Sequence, residues 1–340
     1  MNATDHTNTT VNLTPDWNWS AINSLSCCIF SLLLNLLLLL SFLPRSHTWL
    51  AFDVYLTNLL LSNVVFCALT GPFDFSSKLY PDAKWVLSRA SCTVYLYGIW
   101  VLSLVQMSTH LLIAGNRVWA LWRPLSFRRR HNFTTAFLCC GVTWALAHVV
   151  ALPGVVMDAL FYRKPEAEYG CWTDVTGIPG QRAWLVLVQL LSVICLFGVL
   201  GAFPLIWIKQ SQRNKIGLCC RLVSGQIQPT PLSSHNVKNP SIANIASVSQ
   251  AISHSHRPAS STEAQSFLLL TALTLSVLVF WTPSVIYFFL QPFTNYTNPD
   301  IEFVINLMFF YQPVVDPLLF ALTLRTLRHN IRHMLRCAKN

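Results

Sequence analysis

From Cys92 to Trp119 the chain reads CTVYLYGIWVLSLVQMSTHLLIAGNRVW, with no Asp, Glu, Lys or Arg until Arg117. A helix needs about 20 mostly apolar residues to cross the hydrocarbon core of a bilayer, so this stretch spans a membrane, with a cysteine at one rim and an arginine at the other. Six more stretches of the same kind flank it, giving spans near 21–43, 53–76, 92–119, 134–157, 182–208, 265–290 and 301–323. The pattern predicts an all-α membrane protein, a seven-transmembrane helix bundle with a short amphipathic eighth helix.

Composition agrees. Of 340 residues 53% are hydrophobic and 11% charged, against about 25% charged in a typical soluble domain. Positive charge near helix ends stays cytoplasmic, and the loops after odd-numbered spans carry Arg45, Arg123, Arg128, Arg129, Arg130, Lys209, Arg213, Lys215 and Arg221, followed by Arg325, Arg328, Arg332 and Arg336 in the tail. Loops after even-numbered spans mix Lys78, Lys84, Arg89, Arg163, Lys164 and Arg182 with Asp82, Glu166, Glu168, Asp174 and Asp300. The N-terminus is therefore expected outside, and the protein at the plasma membrane as a multi-pass chain. The net charge of +10 reads as topology and anionic-lipid contact, not nucleic-acid binding.

The expected organisation is an outer tail (1–20), the bundle (21–323) and a cytoplasmic tail (324–340), with a disordered third inner loop at 209–264. Sequons at Asn2, Asn8, Asn12, Asn18 and Asn295 fall on the outer side and are candidate glycosylation sites. The sequon at Asn132 falls on the inner side and is expected to stay unmodified. No cleavable signal peptide is visible at Met1, so the first span is expected to direct insertion. The third inner loop, rich in Ser, Pro, Asn and His, is either a passive tether or a surface regulated by kinases at residues such as Ser233, Ser247 and Thr262. After the seventh span, Leu324, Leu327, Ile331, Met334 and Leu335 share helical spacing with four arginines. Such a segment lies on the inner leaflet, and Cys337 is a candidate for palmitoylation, with Cys219 and Cys220 as rivals.

Five local patterns then coincide: Asn116-Arg117-Val118 ending the third span, Asn58-Leu59-Leu60-Leu61-Ser62-Asn63 in the second, Phe280-Trp281-Thr282-Pro283 in the sixth, Asp316-Pro317-Leu318-Leu319-Phe320 in the seventh, and Asn35, Trp144 and Pro204 in the first, fourth and fifth. Together they resemble class A (rhodopsin-like) G protein-coupled receptors, over all seven spans and the tail helix. The resemblance implies a disulfide between Cys92 and Cys171, worth about 2 to 5 kcal/mol. It implies a heterotrimeric G protein as partner, with arrestin and kinases engaging the third inner loop.

It also implies roles. Arg117 is the coupling arginine, and Glu263 stands where family members latch it at rest, while Asn116 replaces the usual acid. Raised basal signalling is the expected consequence. Pro283 removes a backbone donor and kinks the sixth helix, with Trp281 as the pocket floor. Asn63 and Asp316 each occupy the place where the family has the other's residue type. A carboxylate at mid-membrane costs about 2.5 to 3.5 kcal/mol on insertion scales, so Asp316 should meet polar partners, with Asn63 the natural donor. Sodium binding at this place is put in doubt by the exchange and by Gln106. Phe320, next to Pro317, lacks the hydroxyl of the family's tyrosine.

The ligand pocket is expected between helices three, five, six and seven. Ile99 stands where amine receptors have an acid, which disfavours a biogenic amine. Candidate lining residues are Trp100, Ser103, Trp281, Phe288, Asn306 and Phe310, with Asp74 and Glu302 as acids nearer the mouth; a basic peptide or an amphipathic lipid would suit them, and solvated rim charge is the plain alternative. A signalling receptor leads, followed by a non-signalling decoy, scaffold or trafficking protein, then a transporter. An enzyme is disfavoured, because no His, Cys or carboxylate cluster has catalytic or metal spacing, and no cofactor or metal is implied.

Overall fold

The computed structural model describes residues 14–42, 50–173, 178–225, 260–294, 298–324 and 327–328, with backbone alone at 213–225, 260–266 and 299. Seven helices are long and apolar enough to cross a membrane: α1 Trp19–Phe42, α2 Ala51–Leu79, α3 Arg89–Trp122, α4 Phe133–Tyr162, α5 Pro179–Gln212, α6 Phe267–Thr294 and α7 Asp300–Thr323. Two short helices, Pro124–Arg130 and Glu166–Tyr169, sit in the loops on either side of α4. The fifth helix runs on to Gly225, so 209–225, expected as loop, are helical. Glu263 lies in the helix Ser260–Phe280, but its side chain is outside the described set. Asn2, Asn8, Asn12, Asn295, Cys337 and nearly all of the expected tail helix are also outside it.

Helix starts follow local chemistry. The first N–H groups of a helix lack internal acceptors, and an Asn or Ser just before the start can supply one. Asn18 Oδ1 accepts from Ala21 N at 2.9 Å, Ser88 Oγ from Ser91 N at 3.3 Å, Asn132 Oδ1 from Thr135 N at 2.8 Å, and Asn298 Oδ1 from Asp300 N and Ile301 N at 3.0 and 3.2 Å. Two of the sequon asparagines, Asn18 and Asn132, thus have a structural role.

Lipid is as apolar as leucine, so close packing and interhelical hydrogen bonds hold the bundle together, not transfer out of water. The buried face of α4 is accordingly made of small residues, Ala136, Cys140, Thr143, Ala147, Ala151 and Gly154, while Phe137, Val142 and Val149 point outward. This lets α4 approach α2 and α3, where Trp144 Nε1 donates to Asn58 Oδ1 at 2.9 Å and Asn58 Nδ2 to Thr109 Oγ1 at 2.8 Å.

Proline shapes two helices at functional positions. Pro317 has no N–H for the carbonyl of Pro313, one turn earlier, and Asn35 Nδ2 on α1 donates to that carbonyl at 2.7 Å. In α6, Pro283 breaks the helix into Ser260–Phe280 and Thr282–Thr294, with Trp281 at the joint.

Candidate functional site

At one end of the bundle Cys92, at the start of α3, is bonded to Cys171 in the loop after α4. Beside it Arg163 and Asp158 form an ion pair at 2.6 Å with both side chains fully buried. Arg163 Nη1 also donates to Thr93 Oγ1 at 2.7 Å and to the Arg89 carbonyl at 3.1 Å. These contacts pin the Cys171 loop over the cavity below. Topology alone placed Arg163 on the surface, and nothing in its local sequence marked it as buried.

The cavity lies between α3, α5, α6 and α7, as expected, with about 390 Å³ outside protein atoms, solvent-open space included. Its inner part is lined by Ile99, Trp100, Ser103, Gln189, Trp281 and Phe288, among others, and an adjoining part by Trp172, Thr173 and Asn306. Trp100 sits in a π-helical turn, Gly98–Leu102, a distortion that re-aims side chains and recurs at functional sites. Gly98 lets this turn lie close against α2, because a Cβ there would collide with the Thr70 methyl. Trp100 packs edge-on against Trp184 (5.5 Å) and Phe288 (5.8 Å), and its Nε1 donates to Thr173 Oγ1 at 3.2 Å. Trp281 meets Phe309 edge-on at 5.0 Å.

Three residues expected at the pocket are engaged elsewhere. Asp74 faces α1 and its own helix, accepting from Ser24 Oγ at 2.5 Å and Lys78 Nζ at 2.7 Å. Phe310 packs on Phe66 at 5.6 Å, with the Lys78 ammonium 5.5 Å from its ring centre. Glu302 accepts from the Tyr287 hydroxyl at 2.8 Å.

Mid-bundle, the structure gathers a polar core. Asn63 Nδ2 donates to Asp316 Oδ2 at 3.4 Å and to Asn35 Oδ1 at 3.1 Å, while Gln106 Nε2 donates to Asn63 Oδ1 at 2.9 Å. The closest contacts to Asp316 come from residues that sequence reading missed. Gln312 Nε2 donates to Asp316 Oδ1 at 2.7 Å and to Ser276 Oγ of α6 at 2.9 Å, and His110 Nε2 lies 3.2 Å from Asp316 Oδ1. His110 Nδ1 faces the Gln106 carbonyl at 2.9 Å. The Gln312 amide Nε2 also lies 3.4 Å from His110 Nε2. The core joins α1, α2, α3, α6 and α7. Among the described residues no cluster of three or more His, Cys, Asp or Glu could hold a metal ion.

At the other end, the Arg117 guanidinium carbon stands 3.4 Å from the centre of the Phe52 ring, and its Nε is buried without an acceptor. Asn116 Nδ2 meets His131 Nε2 at 2.6 Å. His131 stacks on Phe127 at 4.4 Å and on Tyr55 at 5.8 Å. Burial and the nearby Arg117 charge both push the His131 pKa below its usual value. Phe320 is fully buried in an apolar cluster with Leu59, Ile113 and Leu269.

Comparison with known proteins agrees with this architecture. The family described as "7 transmembrane receptor (rhodopsin family)" matches residues 34–320. Human proteinase-activated receptor 3 is 30% identical over 112 residues, 32% of this chain and 29% of that protein. The B1 bradykinin receptors of Macaca fascicularis and Macaca mulatta are each 30% identical over 138 residues, 40% of this chain and 38% of theirs. The matches span about a third of these relatives' length.

Proposed function

The chain belongs to the rhodopsin family of seven-transmembrane receptors, and from that premise we propose that it carries an extracellular signal to a heterotrimeric G protein by outward movement of α6. The observation that carries this reading is a buried hydrogen-bonded chain, Ser276–Gln312–Asp316–His110, that ties α6 to α7 and α3. Trp281, at the cavity floor and the α6 break, lies five residues after Ser276 on α6, and Arg117 lies two helical turns after His110 on α3. A ligand that moves Trp281 would move the helix that holds one end of that chain. The disulfide end faces outward in this reading, and Asn2, Asn8, Asn12, Asn18 and Asn295 carry glycans there. The Arg117 end, the third inner loop and a tail anchored at Cys337 face the cytoplasm, where arrestin and kinases have access.

The ligand is of peptide or lipid type, not a biogenic amine, since Ile99 offers no carboxylate for an ammonium. Two relatives are named for bradykinin and one for activation by a proteinase, which supports a peptide. At rest Arg117 is held by the Phe52 ring, a contact worth about 0.5 to 2 kcal/mol, with the Asp53 carboxylate attracting it through space and Glu263 as a further latch; the acid usual beside it in the chain is replaced by Asn116, so basal output is raised. A non-signalling receptor-like protein is the second reading, favoured by Asn116 bonding His131 in place of Arg117 and by the buried, hydroxyl-free Phe320.

A basal activation panel across G protein classes, comparing wild type with Arg117→Ala, tests the proposal. Output lost from one class in the variant supports coupling, and equal output from both proteins transfers the weight to the second reading.

A further inference from the structure

The lining of the cavity specifies ligand chemistry more narrowly than family membership does, and the inference rests on the receptor reading above for the site's role. Among the described residues lining it, none is an Asp, Glu, Lys or Arg. Of the two acids nearest its mouth by sequence, Asp74 is paired with Lys78, and Glu302, which accepts from the Tyr287 hydroxyl, is not among the lining residues. A charged group entering here would lose its hydration without gaining a counter-ion.

Two residues that line this cavity each carry an unused polar atom. Ser103 Oγ of α3 and Trp281 Nε1 of α6 are buried and have no hydrogen-bond partner, in residues that are 6% and 4% exposed. An indole N–H can only donate, and a serine hydroxyl can donate as well. Buried polar groups are almost always paired, so two orphans on the lining of one cavity call for an acceptor supplied from outside. The surrounding rings of Trp100, Phe288 and Phe309 favour a flat aromatic or hydrocarbon body. Two residues of the Cys171 loop reach the cavity wall: Thr173 is bonded to Trp100, and Trp172 packs on Phe288 at 6.0 Å.

We infer that the cavity takes a small uncharged aromatic or lipid-like molecule whose hydrogen-bond acceptor is bound jointly by Trp281 Nε1–H and Ser103 Oγ–H.

The test uses the full-length receptor in nanodiscs and four probes of one shape, with Kd read by native mass spectrometry and thermal shift. The probes are 2-acetylnaphthalene (neutral acceptor), 2-ethylnaphthalene (no acceptor), 2-naphthoate (anion) and 2-(2-naphthyl)ethylamine (cation). The ketone is expected to bind at least about tenfold tighter than each of the others, the factor one buried hydrogen bond supplies. That advantage over the ethyl probe should fall toward unity in Trp281→Phe and in Ser103→Ala; the serine variant suffices if the tryptophan variant does not fold. Equal binding of ketone and ethyl probes by wild type, tighter binding of either ion, no binding by any probe below millimolar concentration, or tighter binding of a capped naphthylalanine tripeptide would each overturn the inference. Binding as predicted without Arg117-dependent G protein output would instead remove the signalling role and leave the ligand chemistry standing.

Discussion

His110 on α3 and Asp316 on α7 lie 3.2 Å apart, with side chains 1% and 0% exposed. No other acid–base pair among the described residues joins two spanning helices at mid-bundle. Removing one partner of a buried pair strands the other and typically costs about 3 to 5 kcal/mol, whereas replacing both with neutral groups of similar shape can be nearly neutral. His110→Leu should therefore lower the Tm of the purified receptor markedly, and His110→Leu combined with Asp316→Asn should recover most of the loss. With the Asp316 oxygens already accepting from Gln312, Asn63 and His110, exchanging sodium for choline should leave the wild-type Tm unchanged.

The Cys92–Cys171 bond ties the α3 start to the loop that covers the cavity and closes a separation of 79 residues. Its loss should cost about 2 to 5 kcal/mol. Because either cysteine breaks the same bond, Cys92→Ser, Cys171→Ser and the double variant should melt at the same temperature, a non-additivity expected of one shared interaction.

Much of this was legible in the sequence and some was not, for physical reasons. Length and apolarity decide whether a segment spans, so the seven helices could be read, to within a few residues at most ends. The acid-for-amide exchange of Asn63 and Asp316 could be read because a membrane carboxylate needs a partner. His110 was missed although it falls one turn after Gln106 and two turns before Arg117, on the same face of α3; helical spacing gives the face, and only packing tells what that face meets. Gln312, one turn before Asp316, carried the same unused signal. Asp74 was misplaced because the rotation of α2 toward α1, and the reach of Lys78, are tertiary facts. The π-turn at Gly98–Leu102 has no sequence signature beyond the glycine.

His131 lies between α3 and α4, packed against Phe127 and Tyr55, with a pKa below its usual value because of burial first and Arg117 second. The sign follows from linkage: the unfolded chain, titrating near 6.5, takes up a proton that the folded protein resists, so stability rises with pH across that window and falls as pH drops below about 6.5. Wild-type Tm measured from pH 7.5 to 5.5 should decline more steeply than that of His131→Phe, which keeps the ring stacking and removes the titration.

Gly154 of α4 lies against the indole of Trp184, where an added Cβ would collide with the ring. Trp184 in turn packs on Trp100 of the cavity wall at 5.5 Å. Overpacking of this kind costs about 1 to 3 kcal/mol. Gly154→Ala should lower Tm by that order and weaken 2-acetylnaphthalene binding as well, whereas Gly141→Ala, at a glycine with open space around it, should change neither.

The central claim is that the half of α6 on the Arg117 side of the Trp281 break swings away from the bundle when a G protein engages. Nitroxides placed by a non-cysteine label at Phe137 on α4 and Leu268 on α6, both more than half exposed at 63% and 53%, report that distance by double electron–electron resonance in nanodiscs. The account predicts a new, longer-distance population when the nucleotide-free heterotrimer selected by the basal panel is added, and its disappearance in Arg117→Ala. An unchanged distance distribution with every heterotrimer tested would contradict it.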